Sequence, residues 1–105
     1  MSNLFAYGTL MCEDIMREVS GVSLSSLPGT LKGFRRHSVK GEPYPAIVPD
    51  GESRVDGLLY HDLPEAAWER LDRFEGEMYA RQKVAVELRH GATLTAQTYV
   101  ARPAF

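Results

Sequence analysis

Glu75 is the residue whose type and position most directly suggest chemistry. It follows an amphipathic segment, 63–74, that predicts a helix, and a rotation of about 100° per residue places it at the core-facing edge. Burial and the negative end of the helix dipole both raise the pKa of a carboxyl group there. A general acid or base at neutral pH requires such a carboxyl group. The alternative, favoured by helix geometry taken alone, is that the helix frays at Gly76 and Glu75 points into water.

The helix that positions Glu75 has start and stop signals. Asp62 is expected to cap it, Pro64 suits its first turn and Gly76 can end it. Its core-facing stripe is expected to contain Ala67, Leu71 and Phe74, opposite a polar face formed by Glu65, Glu69, Asp72 and Arg73.

Asp72 lies three residues before Glu75, so the two carboxylates could share one site, as in glycoside hydrolases. The helix phase places Asp72 nearer the solvent. We therefore assign the chemistry to Glu75 alone, treat Asp72 as a surface or supporting group, and keep a glycoside hydrolase as a weaker alternative.

A second candidate is the turn formed by Tyr7, Gly8, Thr9 and Leu10. It follows a short apolar run, 4–7, typical of a strand buried on both faces, and precedes a predicted helix. Free backbone N–H groups at such a junction can bind an anion, and a carboxylate fits better than a triphosphate because the spacing is not that of a phosphate loop. The alternative, favoured by these four residues alone, is a tight turn with Thr9 as a helix cap.

Composition and charge narrow the class of protein. The 105 residues suggest a single domain, 1–105, with 44% hydrophobic and 25% charged residues, as in soluble globular proteins. A net charge of -2 gives no excess of positive charge with which to bind nucleic acid or an anionic membrane. With Cys12 as the single cysteine, no signal peptide and no segment long enough to span a membrane, we expect a cytoplasmic protein without disulfides.

Hydrophobic patterning predicts five or six strands and two helices. The first helix contains residues 11–19 and ends near Gly21, and the second is the helix before Glu75. Outside them we expect loops or turns at 22–29, 41–45 and 49–51, strands at 31–39 and 55–60, a brief apolar run at 46–48, an antiparallel hairpin from 84–88 and 94–100, and a tail at 101–105. The strands do not alternate regularly with helices, so the prediction is an α+β fold with a small mixed or antiparallel barrel-like sheet and flanking helices.

The histidines, the cysteine and the paired arginines give weaker indications of a functional site. His37, His61 and His90 lack metal-ligand spacing, so no metal site is expected. Cys12 is expected to be a buried structural thiol, and the pair Arg35 and Arg36 a solvated face.

The tyrosines are a separate case. Tyr44 lies between two prolines in a stiff segment that can wall a pocket, and Tyr79 follows the Glu75 segment. Whether Tyr44, Tyr79 and Tyr99 contact a ligand or fill the core stays open at this point.

Taken in order, the motifs resemble those of the gamma-glutamylcyclotransferase-like family, including its avirulence-induced-gene-like branch and the gamma-glutamylamine cyclotransferases. The resemblance runs through 4–10, 44–48, 55–60, 71–76, 79–81 and 99–100, nearly the whole chain. It implies a small barrel with flanking helices, a turn whose amides hold the α-carboxylate of a gamma-glutamyl group, and a catalytic glutamate. These map onto Tyr7, Gly8, Thr9 and Leu10, and onto Glu75, with Tyr44 and Tyr79 as further candidate substrate-binding residues.

The resemblance implies release of 5-oxoproline and a free amine or amino acid from a gamma-glutamyl compound, without metal or organic cofactor. The α-amine would attack its own γ-carbonyl, with Glu75 as the proton carrier. A different class of function stays open: a non-catalytic barrel that binds a small carboxylate, an amino-acid-like metabolite or a protein partner.

Overall fold

The computed structural model describes residues 2–38 and 45–101, which form five strands, two α-helices and a 3₁₀ turn. The strands are β1 (Ser2–Ala6), β2 (Ser26–Ser38), β3 (Pro45–Leu63), β4 (Tyr79–Leu88) and β5 (Thr93–Ala101). The 3₁₀ turn is Thr9–Met11, and the helices are α1 (Glu13–Ser20) and α2 (Glu65–Glu75). The sheet is a closed barrel in the order β1-β3-β2-β4-β5, which confirms the predicted α+β barrel with two helices.

β1 closes this barrel. It pairs antiparallel with β3, where Ala6 lies opposite Leu58, and parallel with β5, where Leu4 lies opposite Gln97. Its side chains alternate between two buried clusters: Leu4 and Ala6 face the helices, while Phe5 faces the barrel interior. The prediction of a strand buried on both faces is therefore confirmed.

The helices end where their glycines predict. Gly21 adopts the left-handed conformation (φ 80°) after α1, and Gly76 has φ 75° after α2. The two helices are tied together where Arg70 Nε donates to the Val19 carbonyl at 2.9 Å. The start of α2 differs from the prediction, because Leu63 still pairs with Ser2 in the sheet and the helix begins at Glu65.

Asp62 does not cap α2. The residue before the helix is Pro64, which makes no side-chain cap hydrogen bond. Asp62 instead has φ 54°, and its N–H donates to Asn3 Oδ1 at 3.0 Å. Its place in β3 thus excludes it from the cap position.

Two predicted breaks in the sheet are wrong. Residues 26–29 belong to β2, not to a loop, because they pair with 57–60 of β3. Pro28 is tolerated there since, among the described residues, β4 pairs with β2 at Gly29 and Thr30 but not at Pro28.

The predicted turn at 49–51 does not reverse the chain. It is an irregularity within β3, where the register shifts between the Lys32–Arg54 and Phe34–Pro49 pairs. The Glu52 N–H donates to Asp50 Oδ1 at 3.1 Å, so the turn-forming residues produce a local bulge in a continuous strand.

The hairpin of β4 and β5 is confirmed, with Val84 opposite Ala96 and Val86 opposite Leu94. The Leu88 N–H donates to the Ala92 carbonyl at 2.8 Å, and Gly91 supplies a positive φ of 93° in the turn. Residues 39–44 and 102–105 lie outside the described residues, so most of the expected irregular segment 41–45 and tail 101–105 does too; Pro45 and Ala101 belong to strands.

Two side chains differ from the expected burial. Cys12 is exposed, because it precedes the first residue of α1 and does not lie on its apolar face. Phe74 is 49% exposed although its phase predicted a core position. The buried residues of α2 are instead Ala67, Trp68 and Leu71.

Gly57 tests how tightly β1 lies against β3. A Cβ at Gly57 would overlap the Ala6 carbonyl oxygen and lie 2.8 Å from the Phe5 ring. We expect Gly57→Ala to lower the free energy of unfolding by about 1–3 kcal/mol, measured by urea denaturation. Gly51→Ala on the same strand is the control, since a Cβ there meets nothing within 4 Å. Equal stability of the two variants would contradict the close approach.

Candidate active site

A cavity of about 210 Å³ lies where β1, the turn after it, the end of α2 and the hairpin converge. Its walls come from both buried clusters, so it lies at the boundary between the barrel interior and the layer under the helices. The cavity is lined by Leu4, Phe5, Ala6, Tyr7, Gly8, Thr9, Leu10, Phe74, Glu75, Tyr79 and Tyr99.

Glu75 lies at this cavity on the last turn of α2, one turn beyond the buried Leu71. The expected inner-edge position is confirmed, and the alternative of a frayed end with Glu75 in water is wrong. Burial raises the pKa of Glu75 from its ordinary value of 4.5 to about 7. The carboxyl group can therefore both accept and donate a proton near neutral pH.

The turn after β1 contributes Gly8, Thr9 and Leu10 to the lining of the same cavity. Its first hydrogen bond runs from the Met11 N–H to the Gly8 carbonyl at 2.9 Å, so the N–H groups of Thr9 and Leu10 precede it and are not used within the turn. The Tyr60 hydroxyl donates to the Leu10 carbonyl at 2.8 Å and fixes the turn to the barrel. The helix-cap alternative for Thr9 is wrong, since the residue preceding α1 is Cys12.

Two buried tyrosines connect the walls. The Tyr7 hydroxyl donates to the Tyr99 carbonyl at 2.5 Å, which joins the end of β1 to β5. Burial, as the largest cause, raises the pKa of both Tyr7 and Tyr99 far above the ordinary range. Both phenols therefore stay neutral at physiological pH, so their hydroxyl groups keep their protons.

Asp72 acts outside the cavity. It accepts a hydrogen bond from the Tyr99 hydroxyl at 2.7 Å and pairs with Arg81 Nε at 3.0 Å. Arg81 in turn lies over the Trp68 ring, 4.7 Å from its centroid. Asp72 does not line the cavity with Glu75, so its position gives no support to the glycoside hydrolase alternative. It holds Tyr99 from behind.

The structure brings most of the predicted residues to one place. Tyr7, Gly8, Thr9, Leu10, Glu75 and Tyr79 all line the cavity, although their roles in binding and catalysis stay predictions. Tyr44 lies outside the described residues. Tyr99, whose position the sequence left open, is both buried and part of the wall.

Arg36 is the group that the sequence reading missed. Its neighbour Arg35 pairs with Asp50 at 3.4 Å on the surface, but Arg36 donates to the carbonyls of Tyr7 and Asp56. Both arginines are exposed, which confirms the expected solvated pair, but the hydrogen bonds of Arg36 to these carbonyls were not expected. Periodicity on β2 gave no signal of a contact with a residue 29 positions away.

Within residues 2–38 and 45–101, no three His, Cys, Asp or Glu side chains lie together as metal ligands would. No helix among the described residues has the length and apolar character needed to cross a membrane.

The raised pKa of Glu75 makes stability depend on pH. Between pH 4.5 and about 7 the folded protein retains a proton that the unfolded chain has lost, so we expect stability to fall as pH rises through this window. The loss is at most about 3 kcal/mol. This loss of stability should be largely absent in Glu75→Gln. It should persist in the control variant Glu69→Gln, which changes an exposed position of the same helix. Urea denaturation at pH 4 to 8 measures it, and an unchanged slope in Glu75→Gln would contradict the assignment.

Comparison with known proteins identifies the family. Residues 4–104 match the family described as "Gamma-glutamyl cyclotransferase, AIG2-like". AIG2-like protein D of Arabidopsis thaliana is 34% identical over 102 residues, which cover 95% of this chain and 67% of that protein. AIG2-like protein C of the same plant is 32% identical over 99 residues, covering 93% of this chain and 58% of that protein. The chain thus spans about three-fifths to two-thirds of the length of these relatives.

Solved structures agree on the fold. A solution structure of an Arabidopsis thaliana protein superposes with a TM-score of 0.88 at 28% identity, covering 99% of this chain and 70% of that one. A structure titled gamma-glutamyl cyclotransferase gives a TM-score of 0.82 at 19% identity, covering 96% of this chain and 66% of that one, and shares the fold. On the match over residues 4–104, this chain belongs to the gamma-glutamyl cyclotransferase, AIG2-like family.

Proposed function

We propose that this protein is a gamma-glutamyl cyclotransferase-type enzyme that converts a gamma-glutamyl compound into 5-oxoproline and a free amine or amino acid. The observation that carries the proposal is a carboxyl group with a pKa of about 7 in the same cavity as a turn whose Thr9 and Leu10 N–H groups precede its first hydrogen bond. Family membership and the cyclotransferase fold support it further.

Substrate binding follows from the two walls. The N–H groups of the turn at Gly8, Thr9 and Leu10 hold the α-carboxylate of the glutamyl group, because backbone donors at a chain turn bind anions. The cavity volume of about 210 Å³ is below the range for drug-sized ligands, so it suits a folded glutamyl chain. Tyr79 contributes wall contacts. Tyr44 stays a predicted binding residue.

Ring closure then needs proton transfer. Glu75 accepts a proton from the α-ammonium group, whose nitrogen then attacks the γ-carbonyl carbon within the same molecule. The bond from the γ-carbon to the leaving nitrogen breaks, and Glu75 delivers a proton to that nitrogen. Overall two protons leave the α-nitrogen and two reach the leaving nitrogen, so the protein ends in its starting state. Closure within one molecule gains from orientation, which the small cavity supplies.

Removal of the proton carrier is the direct test. We expect Glu75→Gln to lower 5-oxoproline release by at least about 100-fold, because amide and carboxyl groups are similar in shape but only the latter transfers a proton. The assay compares glutamyl amines, glutamyl-lysine isopeptides and glutamyl dipeptides. Glu69→Gln should retain parental activity. Release by Glu75→Gln at the parental rate would contradict the mechanism.

If the folded parent releases no 5-oxoproline from any of these compounds, the result would instead favour a non-catalytic barrel that binds a small carboxylate, an amino-acid-like metabolite or a protein partner.

The cytoplasmic setting expected from the sequence also stays a prediction.

The pH dependence provides an independent check. The base must be ionised to accept the first proton, and the pKa of Glu75 is about 7. We therefore expect kcat/KM to decrease below about pH 7, roughly tenfold per pH unit well below it. A profile of the parent from pH 5 to 8 measures this. Constant kcat/KM from pH 5 to 7 would show that a group with an ordinary carboxyl pKa acts instead.

A further inference from the structure

Arg36, a residue of β2, forms hydrogen bonds with the backbone at the end of β1. Its Nε and Nη2 atoms donate to the Tyr7 carbonyl oxygen at 3.3 and 3.0 Å. Nη2 also donates to the Asp56 carbonyl oxygen at 2.8 Å. The last ladder pair between β1 and β3 joins Ala6 to Leu58, so both acceptors lie just beyond the end of that ladder. The guanidinium replaces the missing strand partners of these two carbonyls.

This contact sets the orientation of the next N–H group. The described residues contain no cis peptide bond, so the Tyr7 carbonyl and the Gly8 N–H, which belong to one planar trans peptide, point in opposite directions. With the carbonyl directed at Arg36, the N–H is directed away from it. No backbone carbonyl among the described residues accepts a hydrogen bond from the Gly8 N–H, and Tyr7 and Gly8 both line the cavity.

The hydrogen bond from Arg36 to the Tyr7 carbonyl also makes the Gly8 N–H a stronger donor. A hydrogen bond from a charged guanidinium polarises the peptide that accepts it, and the polarised peptide donates more strongly at its opposite end. The remaining degree of freedom of Tyr7, its ring, is fixed by the bond from its hydroxyl to the Tyr99 carbonyl. The Tyr7–Gly8 peptide is therefore held at two points on Tyr7, leaving its N–H for a ligand.

We propose that Arg36 is a positioning residue for carboxylate binding, which aims and polarises the Gly8 N–H through the Tyr7 carbonyl. The proposal deepens the proposed function, since the carboxylate concerned is the α-carboxylate of the glutamyl substrate, but it concerns binding and not turnover. Arg36 itself contacts neither the carboxylate nor the reacting atoms.

The test measures carboxylate binding without catalysis. Glutarate, a dicarboxylate that cannot cyclise, is titrated into the ¹⁵N-labelled parent, and the amide resonances of Gly8, Thr9 and Leu10 are followed. We expect these resonances to shift on binding. In Arg36→Met the affinity should fall about tenfold, the scale of one charge-assisted hydrogen bond, and the Gly8 amide should move even without glutarate. Arg35→Met, next along the chain and paired with Asp50 on the surface, should bind within twofold of the parent.

Arg36→Lys separates geometry from charge. Lys retains the positive charge but lacks the planar fork that serves two carbonyls at once, so we expect at least a fivefold loss of affinity. Parental affinity in Arg36→Lys would overturn the proposal in favour of simple charge attraction. Arg36→Lys also carries the test if Arg36→Met does not fold.

The remaining outcomes are equally decisive. A loss of less than threefold in Arg36→Met, or an absence of glutarate shifts at Gly8–Leu10 in the parent, would overturn the role of Arg36. A parent that binds glutarate in an Arg36-dependent way but releases no 5-oxoproline would overturn the cyclotransferase function and leave the positioning role intact. For an active parent, Arg36→Met should raise KM more than it lowers kcat.

Discussion

β1 pairs with β3 on one side and with β5 on the other, and both walls of the cavity depend on this closure of the barrel. The strand must approach β3 so closely that only glycine fits at position 57. Its alternating side chains fill two separate cores, so the strand cannot slip by one residue without exchanging them. A turn placed at the end of such a strand has a fixed position.

The carboxyl group opposite this turn is held there at a cost to stability. Ala67, Trp68 and Leu71 anchor α2 in the helix-facing core, and the same helical phase carries Glu75 to the cavity. Burial disfavours the charged form of this carboxyl group, and its pKa is raised accordingly. The helix core thus supplies the energy that keeps an ionisable group partly dehydrated. Asp72, on the adjacent face, escapes this constraint and serves Tyr99 instead.

Features set by local patterns were predictable from the sequence. Gly21 and Gly76 end their helices, the β4–β5 hairpin has its expected alternation, and the phase of Glu75 followed from its spacing to Leu71. The order of the motifs along the chain, which resembles that of a known family, also predicted the barrel. Features that depend on tertiary contacts were not predictable. Residues 26–29 form a strand because they pair with β3, and the Asp62 N–H donates to the Asn3 side chain within the sheet.

Side-chain contacts were the least predictable part of the site. Arg36 reaches from β2 past β3 to the Tyr7 carbonyl, and Phe74 is half exposed whereas Trp68 is buried. Neither follows from periodicity, because both depend on how the elements pack against one another. The position of a reactive group on its own element could be predicted, but its support from other elements could not.

The bond from the Tyr7 hydroxyl to the Tyr99 carbonyl spans 92 positions of a 105-residue chain. Contacts of such high sequence separation form late, because a long loop must close before they gain anything. During synthesis, β1 therefore leaves the ribosome before either of its partner strands, and after β3 has paired with it, its other edge stays uncovered until β5 arrives. The cavity is thus among the last parts of the molecule to form, and its first strand is the segment most exposed to mispairing in the meantime.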